Sequence, residues 1–385
     1  MMSARGVAYV RWISVDRFRL DKYEIVGVIG RGGMGTVYEA LEVDSGRRVA
    51  IKWMHARPFS EDDPDLLRLK QEARIAGKLD SPNVTSVFEL AREPETDVVF
   101  LVMELHEGED LRALLNRVGP LAPDVALRIA AQACSGLAAA HAAGVVHRDI
   151  KPGNLFLARK GDGEVVVKLL DFGSAKIRRT HEDASGVGGV TAPPVPMTAS
   201  GDMLGTPLFM APEQIEGAKH VDVRCDVYSM GVTLYAMLTG SPPHPEIKSL
   251  LRLVRAITTE PVPPLGERAP WVRAEVVAIV EEAMSADREA RYANGAALAA
   301  AITPLLEGGT ALREEMLVGI GEEQRKVPAG KAEANPRAET AVEQTKPVTT
   351  AVVVGKSSPR RWALWAVLVA LVVAGIVAAM LVDGR

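Results

Sequence analysis

His147-Arg148-Asp149-Ile150-Lys151-Pro152-Gly153-Asn154, with Asp171-Phe172-Gly173 after it, sets charged and polar groups around short apolar runs. Those runs are Gly144-Val145-Val146, Leu155-Phe156-Leu157 and Val165 to Leu170. Apolar segments this short, bounded by polar residues, read as buried strands. Polar residues at strand ends are common, so each is unremarkable alone. Their weight comes from what lies on either side.

Upstream, Gly30-Arg31-Gly32-Gly33-Met34-Gly35-Thr36-Val37 contains G-x-G-x-x-G. The glycines alone would also suit a dinucleotide-binding turn. Such a turn opens a helix, whereas Thr36-Val37-Tyr38-Glu39-Ala40 continues as a strand. The loop therefore reads as a hairpin tip where backbone N–H groups can approach phosphates, with an ordinary Gly-rich hairpin as the alternative. Val49-Ala50-Ile51-Lys52 alternates as a strand, so Ala50 and Lys52 share a face. From Asp65 to Leu79 the period becomes helical, with Leu69, Glu72, Ala73, Ala76 and Leu79 on one side. A carboxylate in that apolar stripe is costly unless paired. Lys52–Glu72 is the expected ion pair, and a surface Glu72 the alternative.

Downstream, helical patterns dominate. Asp124 to His141 predicts an Ala-rich helix ended by Gly144, and Cys225 to Leu238 a buried helix stopped at Gly240. A β-rich stretch of about 23–104 before an α-rich stretch of about 105–306 predicts two lobes, an α+β architecture.

In this order and spacing the motifs resemble the eukaryotic-like (Hanks-type) protein kinases, and among them the bacterial Ser/Thr kinases with Gly-Arg-Gly-Gly-Met-Gly in the loop. The resemblance covers about Tyr23 to Leu306. It implies a bilobal protein kinase fold with ATP and Mg2+ (or Mn2+) between the lobes. By this resemblance Ile29, Gly30, Arg31, Gly32, Gly33, Met34, Gly35, Thr36 and Val37 cover the nucleotide, together with Ala50. Lys52, oriented by Glu72, would bind the α- and β-phosphates. Met103 would be the gatekeeper, Glu104 and Leu105 the adenine-binding hinge, and Phe156 part of the nucleotide site. Asp149 would orient the substrate hydroxyl and take its proton, Lys151 would neutralise the transferred phosphate, and Asn154 and Asp171 would hold metal. His147 reads as a prop for the loop.

Residues 171–213 would form the activation segment, with Thr206 contacting Asp149 and Lys151. Glu213 should pair with Arg291, and Asp226 should brace the catalytic loop. Thr198 and Ser200 are the phosphosite candidates, with Arg148 available to pair with a phosphate there. The implied activity is transfer of the γ-phosphate of ATP to Ser/Thr of protein substrates, with autophosphorylation, in bacterial signalling. A pseudokinase-like adaptor that binds ATP without transfer is the first alternative, and Lys52, Asp149, Asn154 and Asp171 all stand against it. A small-molecule phosphotransferase is the second, opposed by the intact Gly205 to Glu213 segment.

Composition agrees with these readings. The 385 residues are 24% charged and 48% hydrophobic, with a formal charge of −4, which argues against a dedicated nucleic-acid binder. Two cysteines allow no disulfide framework or zinc site and suggest a reducing compartment. The seven histidines show no metal-ligand spacing. Residues 1–22 read as an N-terminal extension and 307–361 as a flexible linker, with a short helix near Leu312 to Val318.

Trp362 to Val382 carries no charge; at about 1.5 Å per residue it spans roughly 31 Å, close to a bilayer core of about 30 Å. Lys356, Arg360 and Arg361 precede it, and 383–385 would be a short exterior tail. The positive-inside rule then puts the kinase domain in the cytoplasm, on a single-pass inner-membrane anchor. Ala366, Ala370, Ala374 and Ala378 form a small-residue row that suits a homodimer, with plain Ala-richness as the alternative. Thr340, Thr345, Thr349 and Thr350 are candidate sites for phosphothreonine-binding partners.

Overall fold

The computed structural model describes residues 19–32, 35–53, 64–93, 99–172, 176–177, 207–217 and 221–326. Expectations for Gly33, Met34, Gly173, Thr198, Ser200, Gly205, Thr206 and 327–385 lie outside these residues, as does the side chain of Glu72.

The N-terminal part is a six-stranded sheet with one helix. Strands β1 (Arg19–Leu20), β2 (Tyr23–Gly32), β3 (Gly35–Glu42) and β4 (Arg48–Trp53) precede helix α1 (Pro64–Ala76); β5 (Val87–Arg92) and β6 (Val99–Glu104) follow it. The spatial order is β1-β2-β3-β4-β6-β5, with every pairing antiparallel. Gly32 lies opposite Gly35, so the glycine turn joins two strands and does not open a helix. Tyr23, Ile25, Ala40, Val49, Ile51, Phe100 and Val102 form one apolar face. Leu66 of α1 packs on Val99 and Leu101 on the other. Period two therefore separates two cores across a single sheet.

Folding begins earlier than residue 23, because Arg19 and Leu20 pair with Glu24 and Tyr23. A two-residue strand has no periodicity to read, and only its partner reveals it.

The chain then passes through β7 (Gly108–Asp110) into a helical half. Helices α2 (Leu111–Val118) and α3 (Pro123–Ala142) lead to β8 (Val145–Val146), the hairpin β9 (Leu155–Arg159) and β10 (Glu164–Leu169), and β11 (Lys176–Ile177). Then come α4 (Pro212–Ile215), α5 (Arg224–Thr239), α6 (Leu250–Thr259), α7 (Leu265–Arg268), α8 (Ala274–Ala283) and α9 (Gly295–Ile302). Helix α5 is buried from Cys225 to Leu238 and stops at Gly240, whose φ of 84° is the left-handed cap conformation. The alanines of α3 let α9 approach closely. A Cβ on Gly295 would sit 2.8 Å from that of Leu137, too near for any side chain.

Strand β12 (Leu312–Arg313) and helix α10 (Glu322–Lys326) complete the chain described. β12 pairs with β10 and gives the sheet β12-β10-β9-β7. This corrects the expectation of a flexible linker from 307, while the short helix expected near Leu312 to Val318 is present as a single 3-10 turn at Glu314–Met316. Leu312 is 0%, Leu317 4% and Ile320 7% exposed. The mixed composition of this stretch conceals its apolar side chains, because each is buried by residues far away in sequence. Among the described residues no helix is long and apolar enough to cross a membrane.

Candidate active site

The catalytic-loop stretch runs from β8 to a short turn, Pro152–Asn154, before β9. Its backbone is strained: Arg148 has φ 69° and Asp171, beyond β10, has φ 61°. Left-handed non-glycine residues persist only where neighbours compensate, and at Arg148 one buried carboxylate does so. Asp226 of α5 is 0% exposed. It accepts from the backbone N–H groups of His147 (2.8 Å) and Arg148 (2.7 Å) and from Nε2 of His141 (2.9 Å). Nδ1 of His141 accepts from Gly295 N–H (3.1 Å), so its proton sits on Nε2, facing Asp226. Burial by itself would raise the Asp226 pKa, but these donors hold the carboxyl below its ordinary range.

His147 ties the two strained loops together. Its Nδ1 accepts from Asp149 N–H (3.3 Å), leaving Nε2 to donate to the Leu170 carbonyl (3.0 Å). Its ring lies 4.6 Å from that of Phe172. Both nitrogens are engaged and the residue is 0% exposed, so it props the loop and has no access to a reacting group.

Asp149 is half-buried and stands among the groups expected beside it. Its Oδ2 accepts from Lys151 Nζ (2.8 Å) and Asn154 Nδ2 (3.0 Å). Asn154 Nδ2 also bonds the Asp149 carbonyl (2.7 Å), fixing the turn. From the opposite sheet, Lys52 Nζ reaches Asp171 Oδ1 at 3.0 Å, with the lysine side chain 13% exposed. On β4, Lys52 lies opposite Val37 and Ala50 opposite Met103, so the glycine turn and the strand leading to the hinge flank them.

A divalent cation at this cleft would have two oxygen-bearing side chains, Asp171 and Asn154. Among the described residues no cluster of three or more His, Cys, Asp or Glu could hold one alone. That donor set suits Mg2+, which completes its shell with phosphate oxygens and water.

The segment beyond 206 is anchored where expected. Arg291, with its side chain 0% exposed, makes a bidentate pair with Glu213 (2.7 and 3.0 Å). Its remaining donors go to the carbonyls of Ser285, Arg224 and Ala286, which satisfies the whole guanidinium.

Behind the hinge lies a polar cluster that sequence reasoning missed. Glu104 pairs through its side chain with Lys168 of β10 (3.0 Å), a residue only 6% exposed. His106 Nε2 meets Thr85 Oγ1 (3.1 Å), and its ring lies 5.8 Å from Phe156. Burial pushes the His106 imidazole down to about 4, so it is neutral near pH 7. Lys168 lies on the face of β10 opposite to Val165, Val167 and Leu169 yet is buried, and a charge within so short an apolar strand was the available signal.

Residues 23–301 match the protein kinase domain family. Serine/threonine-protein kinase Pkn1 of Myxococcus xanthus is 37% identical over 280 residues, 72% of this chain and 37% of that protein. PknB of Mycolicibacterium smegmatis is 34% identical over 290 residues, 75% of this chain and 43% of its own. PknH of Mycobacterium tuberculosis is 37% identical over 280 residues, 72% of this chain and 41% of its own. The match thus spans less than half the length of each of these relatives.

Proposed function

The chain belongs to the protein kinase family, and from that membership we propose that it transfers the γ-phosphoryl group of ATP to serine and threonine hydroxyls of proteins. One observation carries the reading: the Asp149 carboxylate is held by Lys151 and Asn154 on a loop whose strained backbone is anchored to Asp226.

Phosphoryl transfer needs alignment and charge neutralisation more than covalent chemistry. Asp149 orients the substrate hydroxyl and accepts its proton. Its rotamer is set in advance by Lys151 and Asn154, so little reorganisation is left for the reaction. Lys151 brings positive charge beside the acceptor. Lys52 is paired with Asp171 in this structure, and incoming phosphates would share that ammonium. Asp171 and Asn154 would hold Mg2+, which when bound offsets the charge of the phosphates.

The test uses the full chain with radiolabelled ATP, Mg2+ and a generic protein acceptor, beside Lys52→Met and Asp149→Asn. Label on Ser/Thr that disappears in both variants supports the reading. Nucleotide binding without transfer by any form refutes it and favours the adaptor.

Two finer parts of the reading rest on the sequence. A single-pass anchor at Trp362–Val382 is supported by that stretch's lack of charge and by Arg360 and Arg361 before it. It places the protein on the cytoplasmic membrane with the kinase domain inside. Alkaline extraction should leave the full chain in the membrane and release a chain cut at 361. Activation by phosphorylation at Thr198 or Ser200 is supported by Arg148, whose buried Nε has no partner among the described residues. A Thr198→Ala, Ser200→Ala chain with full activity would overturn it.

A further inference from the structure

The family match ends at residue 301, yet the fold continues to Lys326. Arg128 of α3 shows how this is held. Its Nε and NH2 bond the Asp124 carboxylate (2.7 and 3.4 Å). The other donors take the carbonyls of Glu307 (2.6 Å), Gly309 (2.5 Å) and Ala311 (2.8 Å). Arg128 is 8% exposed, and its guanidinium thereby closes around one turn of backbone. Without that turn, three of its bonds have no acceptor, a severe cost for a buried charge.

The same turn completes the outer edge of β10. β12 covers Glu164 and Val165, and Glu314 N–H donates to the Gly163 carbonyl (3.0 Å). At the next edge position, Gln132 bonds the Thr310 carbonyl (2.9 Å) with its amide and accepts from Val167 N–H (2.8 Å) with its oxygen. Asn83 Nδ2 takes the Val167 carbonyl (2.9 Å). Leu169 then exchanges backbone bonds with Asn83 (2.8 Å) and Thr85 (3.1 Å). An open strand edge needs such partners throughout. The row starts at residues 307–314 and ends two residues before Asp171. Across the sheet, Glu314 pairs with Arg159 (3.1 Å), which also faces Glu109 of β7 (3.8 Å), the strand that follows the hinge.

We infer that residues 307–326 form a strap, clasped by Arg128, that positions the β9–β10 hairpin and with it Phe156 of the proposed nucleotide site and the approach to Asp171. The positioning role rests on the proposed ATP site; the strap itself does not. The described part of the strap runs to Lys326, past the turn where Ile320 N–H bonds the Pro120 carbonyl (2.9 Å).

The experiment compares the full chain with Arg128→Leu and Gly319→Val. A Cβ on Gly319 would lie 2.0 Å from the Val118 carbonyl oxygen, so the second variant dislodges the strap without touching the buried charge. Amide exchange should show Glu314, Leu317 and Ile320 protected in the parent and at least about tenfold faster in each variant. The KM for ATP should rise about threefold or more in Gly319→Val, with kcat within about twofold, as lost ground-state positioning predicts. Parent amides exchanging as in an unstructured peptide, or unchanged in both variants, would overturn the strap. Strap release with an unchanged KM would overturn its positioning role. If the parent transfers no phosphate, the proposed function fails separately, and ATP affinity by direct titration replaces KM.

Discussion

Replacing Asp226 by Asn tests the support of the catalytic loop. The carboxylate is fully buried; Oδ1 accepts from Arg148 N–H, while Oδ2 accepts from both His147 N–H and His141 Nε2–H. Asparagine keeps the shape but has one oxygen. Whichever way its amide turns, an NH2 group faces at least one buried donor. A hydrogen bond to a charged group contributes about 1.5–3 kcal/mol net, and an orphaned buried donor costs about 1–3 kcal/mol. The left-handed backbone at Arg148, with φ 69°, is itself unfavourable by about 1–2 kcal/mol. Asp226→Asn should therefore lower unfolding free energy by about 3–4 kcal/mol, read from urea denaturation at constant m. Relaxation of Arg148 would also move Asp149, so kcat should fall further than the KM for ATP rises. The acid limb should change as well. The folded-state pKa of Asp226 is lowered, so its contribution is present at neutral pH and is lost as pH falls from about the ordinary 3.8 through that lower value. The variant should lack this loss. An Asp226→Asn protein within about 1 kcal/mol of the parent, with unchanged kcat, would refute the view that this carboxylate holds the strained loop.

Glu213→Gln should cost about 3–5 kcal/mol, because it leaves the Arg291 guanidinium, 0% exposed, without its counter-charge. Arg291→Lys should do no better, since an ammonium cannot supply both the fork and the three carbonyl bonds; thermal melts of both variants check this. His106 makes stability depend on mild acid. Burial lowers it from 6.5 to about 4, so the unfolded chain binds the extra proton between those values. Stability should fall by about 2 kcal/mol from pH 6.5 to 4.5, and His106→Gln should flatten that slope in denaturant titrations.

Several elements were readable because their signals are local. The glycine turn was separable from a helix-opening turn by the five residues after it, and its two strands do pair. Helix α5 announced its burial by being apolar all round, and its end by Gly240. The Glu213–Arg291 and Asp226 contacts were implied by the resemblance to the protein kinases, and both are present. The expected Lys52–Glu72 pair lies outside the described side chains; the contact of Lys52 with Asp171, distant in sequence, is one that no strand period could select.

Periodicity and caps are written within a few turns of chain, so the residues alone indicated a β-rich part followed by a helical part, and the motifs carried the family resemblance that named the expected cleft residues. They could not assign a partner to Lys168, Arg128 or Gln132, because each is satisfied by a group brought close only when distant segments pack. The same holds for Leu312, Leu317 and Ile320, which look like a linker in sequence and become core in the fold. A buried polar or apolar group must be satisfied, but which group satisfies it is decided by the packing of the whole domain.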